Sequence, residues 1–217
     1  MRFLNRVEAG KQLLPLLQHY ANSSDTIVLG LPRGGVVTSF EVAKGLGLPM
    51  DIIVPRKISA PDNEEFAIGA ITEDGKGVFD DAVISMHGIS QEYIAQEIQK
   101  ETQEAQRRLR IYRGDRAPRD LSGKRVILVD DGIATGATMQ AAIMSVNAKG
   151  AKEIIVAAPV AAKDTLKRIA KDVTAVHCLH NPSSFGAVGQ FYKTFDQTKD
   201  KEVVALMKQS FERANSV

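Results

Sequence analysis

Val126-Ile127-Leu128-Val129-Asp130-Asp131-Gly132-Ile133-Ala134-Thr135-Gly136-Ala137-Thr138 runs from an apolar segment through two acids into a loop of glycines and threonines. Four consecutive apolar residues describe a strand buried on both faces, as in a parallel sheet covered by helices. Two carboxylates stand at its carboxyl end, where open α/β sheets place their ligands. Small and hydroxyl residues follow. From Met139 to Lys149 the chain is amphipathic, with Met139, Ile143, Val146 and Ala148 on or near one face. The loop thus enters a helix amino terminus, where backbone N–H groups and the macrodipole favour a phosphate.

The residue types suit that position. Gly132 and Gly136 let the main chain turn and approach a ligand closely. Thr135 and Thr138 offer hydroxyl donors to phosphate oxygens, whereas ionised Asp130 and Asp131 only accept and suit the hydroxyls of a ribose. Together these make a ribose 5-phosphate site. A strand, an Asp-Gly turn and a threonine-capped helix could arise from ordinary loop chemistry. The coincidence, in order, of strand, acid pair and Thr-Gly-x-Thr favours the ligand.

The stretch resembles the phosphoribosyl-pyrophosphate (PRPP) motif of the type I phosphoribosyltransferases, and the likeness extends over the core from about residue 25 to 180. It implies a Rossmann-like α/β fold, a central parallel sheet flanked by helices. The implied reaction moves 5-phosphoribosyl from PRPP to a nitrogenous base or related nucleophile and releases pyrophosphate. Ala134, Thr135, Gly136, Ala137 and Thr138 would clamp the 5-phosphate, and Asp130 and Asp131 would hold the ribose hydroxyls and face the developing cation. Magnesium would be bound mainly through PRPP and water. The family resemblance also includes non-catalytic PRPP or nucleotide sensors. Asp-Asp-Gly-Ile-Ala-Thr-Gly-Ala-Thr sits closer to the adenine-type members than to the 6-oxopurine enzymes, which place an aspartate where Ala134 stands. The base itself stays open.

Upstream, residues 6–20 read as a helix with Val7, Leu13, Leu14, Leu16 and Leu17 inward and Pro15 disturbing it. The strand Thr26–Leu29 feeds Gly30-Leu31-Pro32-Arg33-Gly34-Gly35 and a helix from about Val36 to Leu46. Backbone N–H groups beside a guanidinium form an anion receptor. Arg33, Gly34 and Gly35 resemble the pyrophosphate loop of the adenine-specific members. After the strand Met50–Val54 come Arg56 and Lys57, which the resemblance makes candidates for reaching pyrophosphate and which read equally as a solvated basic pair. A breaker-rich segment from Ile58 to Glu65 then reads as a mobile loop. Glu64 and Glu65 are expected to be solvated. Ala67 to Asp80 reads as a hairpin turning at Asp74-Gly75.

Residues 90–113 read as one long charged helix capped by Ser90, with a stripe of Ile94, Ile98, Ala105, Leu109 and Tyr112. The basic cluster Arg107, Arg108, Arg110, Arg113, Arg116 and Arg119 is balanced by upstream acids. It reads as a solvated or dimer-facing surface rather than a nucleic-acid patch, and a homodimer is expected.

Beyond the central motif, Glu153–Val160, residues 162–170 and Asp172–Leu179 continue strand, helix, strand. In purine-using members a segment after the last core strand stacks an aromatic on the base. Phe185 and Val188 resemble it here, with the spacing off by about one residue, and Phe185, Phe191 and Tyr192 read equally as residues closing the core edge. His177 and His180 read as structural. Val203, Val204, Leu206, Met207 and Phe211 mark a final amphipathic helix.

At 217 residues, 44% hydrophobic and 25% charged, with net charge +2, the chain reads as one globular domain over 1–217, with an insertion at about 67–120 and a base-binding hood at 180–196. A single cysteine, Cys178, excludes an internal disulfide. No apolar run reaches the roughly 18 residues of a membrane span. The start, Met1-Arg2-Phe3-Leu4-Asn5-Arg6, lacks a signal-peptide core, so a cytoplasmic address is expected.

Overall fold

The structure is a computed structural model and describes residues 1–61, 63–73 and 75–214. Helix α1 (Arg6–Leu17) opens the chain, and β1 (Thr26–Gly30), α2 (Gly34–Leu46) and β2 (Met50–Ile52) follow. A small sheet comes next: β3 (Arg56–Ala60), β4 (Asn63–Ile71) and β5 (Gly77–Phe79). After α3 (Asp81–Met86) and α4 (Gln91–Arg113), the core resumes with β6 (Arg125–Val129), α5 (Ala137–Ala148), β7 (Glu153–Val160), α6 (Lys163–Ile169) and β8 (Ala175–His180). Helix α7 (Asp200–Ala214) comes last.

Five parallel strands form the main sheet in the order β2-β1-β6-β7-β8. Because side chains alternate along a strand, Val28, Ile127, Val129, Ile155 and Ala157 enter one core under α1, α2, α4 and α7. Ile27, Leu29, Val126, Leu128 and Val156 enter the other, under α5 and α6. Each fully buried aliphatic side chain stabilises the fold by roughly 1.5–3 kcal/mol. This two-sided burial is why the central strand is an unbroken apolar run.

Helix α4 joins the two sheets. Ser90 caps it by accepting from the Tyr93 N–H at 3.2 Å. Ile94 and Ile98 meet Ile58, Ile68 and Ile71 of the small sheet, whereas Ala105, Leu109 and Tyr112 join the main core.

Several expectations are corrected. The segment from Ile58 to Glu65 is largely strand, because β3 pairs antiparallel with β4. Asp62, Asp74 and the side chains of Glu64 and Glu65 lie outside the described residues. Val7 and Leu16 are exposed, since the core takes Ala9, Leu13 and Leu17 from α1. A Cβ at Gly10 would lie 2.7 Å from the Thr38 carbonyl oxygen, so that glycine lets α1 sit close on α2. The arginine cluster is dispersed. Arg107 and Arg108 bind Glu104, Arg116 and Arg119 lie over the Phe211 ring, and buried Arg113 donates to Asp51 at 3.1 Å.

Candidate active site

Strands β1 and β6 are parallel neighbours, with Gly30 beside Val129. From β1 the chain crosses to β2 on one side, and from β6 it crosses to β7 on the other. Their carboxyl ends therefore flank the point where the winding reverses, the crevice in which open α/β sheets bind ligands. Helices α2 and α5 start from these two neighbouring ends, so two sets of helix-terminal N–H groups face one crevice.

Between them stand the acids. Oδ1 of Asp130 accepts the backbone N–H of Asp131 at 2.8 Å, and Oδ2 of Asp131 accepts Nε of Arg6 at 2.5 Å. Both acids are half-buried rather than sealed. Burial, with the neighbouring Asp131 charge, holds the Asp130 carboxyl well above the usual carboxylate range. Burial also raises Asp131, but Arg6 opposes that rise. The glycine pair explains the close approach: a Cβ would lie 2.0 Å from Oδ2 of Asp131 at Gly34, and 2.6 Å from Oδ1 of Asp130 at Gly35. Gly34 and Gly35 therefore form one wall of the acid pair's site.

The loop after the acids is held from beneath by α6. Thr165 donates its hydroxyl to the Ala134 carbonyl at 2.7 Å, and Nη2 of Arg168 donates to the Thr135 carbonyl at 2.8 Å. Gly136 has φ +81° and leads into α5, and a Cβ there would lie 2.4 Å from Cγ2 of Thr165. Only glycine suits both demands. Thr135 and Thr138 are both exposed. The paired change Thr165→Val with Arg168→Ala removes two supports worth about 1 kcal/mol each. It is expected to leave the melting temperature within roughly 8 °C of wild type while weakening ribose 5-phosphate binding about tenfold, as measured by calorimetry.

On the other side of the crevice, Arg33 is the residue before α2, and its Nη1 lies 3.5 Å from Oδ1 of Asp200 at the start of α7. The same Asp200 oxygen accepts the Tyr112 hydroxyl at 2.8 Å. Burial and this carboxylate push the Tyr112 hydroxyl up to about 12. A cleft of about 670 Å³ opens beside Pro32 and Thr138, and Arg56, Lys57, Tyr93 and Lys100 are among the residues across it. The structure thus brings Arg56 and Lys57 to the rim of the loops that carry Arg33 and Thr138. Arg56 is engaged there by Glu101.

The segment after β8 folds over the opposite end. Val188 touches the motif loop so closely that a Cβ at Gly132 would lie 2.4 Å from its Cγ1. Phe185 leans on Phe191, with ring centroids 5.1 Å apart. Tyr192 is buried and donates its hydroxyl to the Asp131 carbonyl at 2.5 Å. His180 lies edge-on to Phe191, and His177 lies by His19. Sequence alone assigns no site role to Arg6, Thr165, Arg168, Tyr192 or Asp200. Each reaches the site across a long stretch of chain; only Thr165 and Arg168, a helical turn apart just after β7, carried a local hint.

An α/β sheet whose switch point gathers two helix amino termini around an acid pair has the geometry of a ligand site of open α/β sheets. The chain belongs to the phosphoribosyl transferase domain family, whose model matches residues 8–196. It is 42% identical over 205 residues to the "Putative phosphoribosyl transferase" of Mycobacterium tuberculosis in each of two strains, H37Rv and CDC 1551. That match covers 94% of this chain and 46% of the relative, so the chain spans about half the length of those curated relatives. The crystal structure of TT1426 from Thermus thermophilus is similar throughout. It has a TM-score of 0.88 and 37% identity, covering 96% of this chain and 99% of that one. No helix among the described residues is long and apolar enough to cross a membrane.

Proposed function

We propose that the chain transfers 5-phosphoribosyl from PRPP to a nitrogenous base or related nucleophile and releases pyrophosphate. The observation that carries this reading is the acid pair seated between the amino termini of α2 and α5 at the switch point. Breaking the bond to pyrophosphate leaves positive charge on the ribose carbon and negative charge on the leaving group. Preorganised charges aimed at both lower the barrier without reorganising.

Residues 134–138 would clamp the 5-phosphate through backbone amides and the Thr135 and Thr138 hydroxyls. Asp130 and Asp131 would hold the ribose hydroxyls and face the cation. Arg33, Gly34 and Gly35 would take pyrophosphate, with Arg56 and Lys57 reaching it from the rim of the cleft. Phe185 and Val188 would border the base. Among the described residues no three acidic, histidine or cysteine side chains gather as a metal nest. A magnesium ion would then ride mainly on PRPP oxygens and water, as a hard cation accepts, and offset leaving-group charge. A homodimer and a cytoplasmic setting complete the reading.

One observation favours a second reading, a PRPP- or nucleotide-binding regulator. Two of the cations assigned to pyrophosphate, Arg33 and Arg56, are engaged by Asp200 and Glu101. The deciding experiment incubates the full chain with PRPP, magnesium and a panel of bases, and follows pyrophosphate. Base-dependent release is expected. Saturable PRPP binding without release for any base would favour the regulator, and no binding at millimolar PRPP would remove both.

A further inference from the structure

Arg6 is the first residue of α1 and meets Asp131 from 125 positions away. Its Nε donates to Oδ2 of Asp131 at 2.5 Å, and its Nη1 donates to the Asp196 carbonyl at 2.7 Å. Its guanidinium carbon stands 3.8 Å from the centroid of the Phe195 ring. The Arg6 and Asp131 side chains are 12% and 13% exposed, so water screens the pair weakly. Neighbouring contacts complete a clamp. Nε of Arg2 donates to the Tyr192 carbonyl at 3.0 Å, the Phe3 N–H donates to the Phe191 carbonyl at 2.8 Å, and the Tyr192 hydroxyl holds the Asp131 carbonyl. Residues 2–6 and 191–196 thereby grip the second acid from one side, while Gly34 closes on it from the other.

We propose that Arg6 is a positioning residue of the acid pair, which keeps the Asp131 carboxylate charged and aimed and ties it to the segment Phe195–Asp196. One guanidinium serves two adjacent half-buried carboxylates. Arg6 offsets the charge of Asp131 directly, so Asp131 loses its proton first and Asp130 retains one to higher pH. Among the described residues, few charged or titratable groups face the pair. Helix α1 supplies Arg6, the turn at residues 188–191 and its end supply Tyr192, on which Glu8 also acts, and α2 presents the uncharged Gly34 and Gly35. The consequence for phosphoribosyl transfer rests on the proposed function; the charge assignment does not.

The test is a carbon-13 NMR titration of the aspartate carboxyl groups in the full chain, assigned with Asp130→Asn and Asp131→Asn. In wild type, Asp131 is expected to titrate below Asp130. In Arg6→Met, the Asp131 midpoint should rise by about one to three pH units, and Arg6→Lys should return most of that rise. If Arg6→Met fails to fold, Arg6→Gln, which keeps a donor without the charge, is read the same way. With PRPP and magnesium, kcat/KM at pH 7 should fall at least about tenfold in Arg6→Met and recover as pH increases. An unmoved Asp131 midpoint in a folded Arg6 variant, or a kcat/KM defect that ignores pH, overturns the proposal. If wild type neither binds nor turns over PRPP while the midpoint still moves, the transferase reading fails and the role of Arg6 stands.

Discussion

Asp130→Asn and Asp131→Asn are expected to abolish transfer alike and to shift stability in opposite directions. On the proposed reading each removes a carboxyl group that faces the developing cation, and loss of one such preorganised group costs about 10²–10³ in kcat. The double variant should fall below detection in a pyrophosphate-release assay. Stability separates the pair. Burial and its neighbour raise Asp130 in the folded chain, so between about pH 4 and that raised value the native state binds more protons than the unfolded one. Stability contributed by this group is then present at low pH and lost as pH climbs through the folded value. Asparagine removes the penalty, so Asp130→Asn should melt at or above wild type at pH 8, with a gain of about 1 kcal/mol. Asp131→Asn instead leaves Arg6, 12% exposed, without its carboxylate. It should lose about 2 kcal/mol at the same pH. Thermal melts at pH 5 and pH 8 test this directly. Retained turnover in either single variant would count against the assigned site, and parallel melting shifts would count against the division of charge.

The parts of the site legible in the sequence are those whose physics is local. A strand buried on both faces must be a run such as Val126–Val129, and a loop ending at a helix start must place its glycines and threonines in order. Glu153–Val160 was legible for the same reason. Strand β3 was not, because in Arg56–Ala60 only Ile58 is buried. Its extended form comes from pairing with β4, which no pattern within Arg-Lys-Ile-Ser-Ala announces. In α1 the apolar residues cover a wider arc than the core accepts, so Val7 and Leu16 face outward. Arg6 and Tyr192 were hidden for a different reason. They reach Asp131 from 125 and 61 positions away, and proximity of that kind exists only once the sheet has closed.

Gly34→Ala and Gly35→Ala should part company, because different atoms lie above the two glycines. A Cβ at Gly34 would meet Oδ2 of Asp131 at 2.0 Å and Nε of Arg6 at 2.8 Å, the ends of side chains that can swing aside. At Gly35 it would meet the Asp130 Cα at 3.0 Å and the Val129 carbonyl oxygen at 3.1 Å, besides Oδ1 of Asp130 at 2.6 Å. Those backbone atoms belong to β6 and its end, and β6 is paired on both sides, with β1 and β7. Gly34→Ala is therefore expected to fold with a melting temperature within about 4 °C of wild type. Its affinity for PRPP should nonetheless fall about 10- to 100-fold, since the ion pair that aims Asp131 is pushed open and a hydrogen bond to a charged group is worth about 1.5–3 kcal/mol. Gly35→Ala should lose binding too and also cost about 1–3 kcal/mol, the usual penalty for forcing atoms into a filled space. Calorimetry with PRPP beside thermal melts measures both. A Gly35→Ala chain that melts and binds like wild type would mean the loop reseats freely, so that glycine there serves the turn alone and pyrophosphate must be held elsewhere.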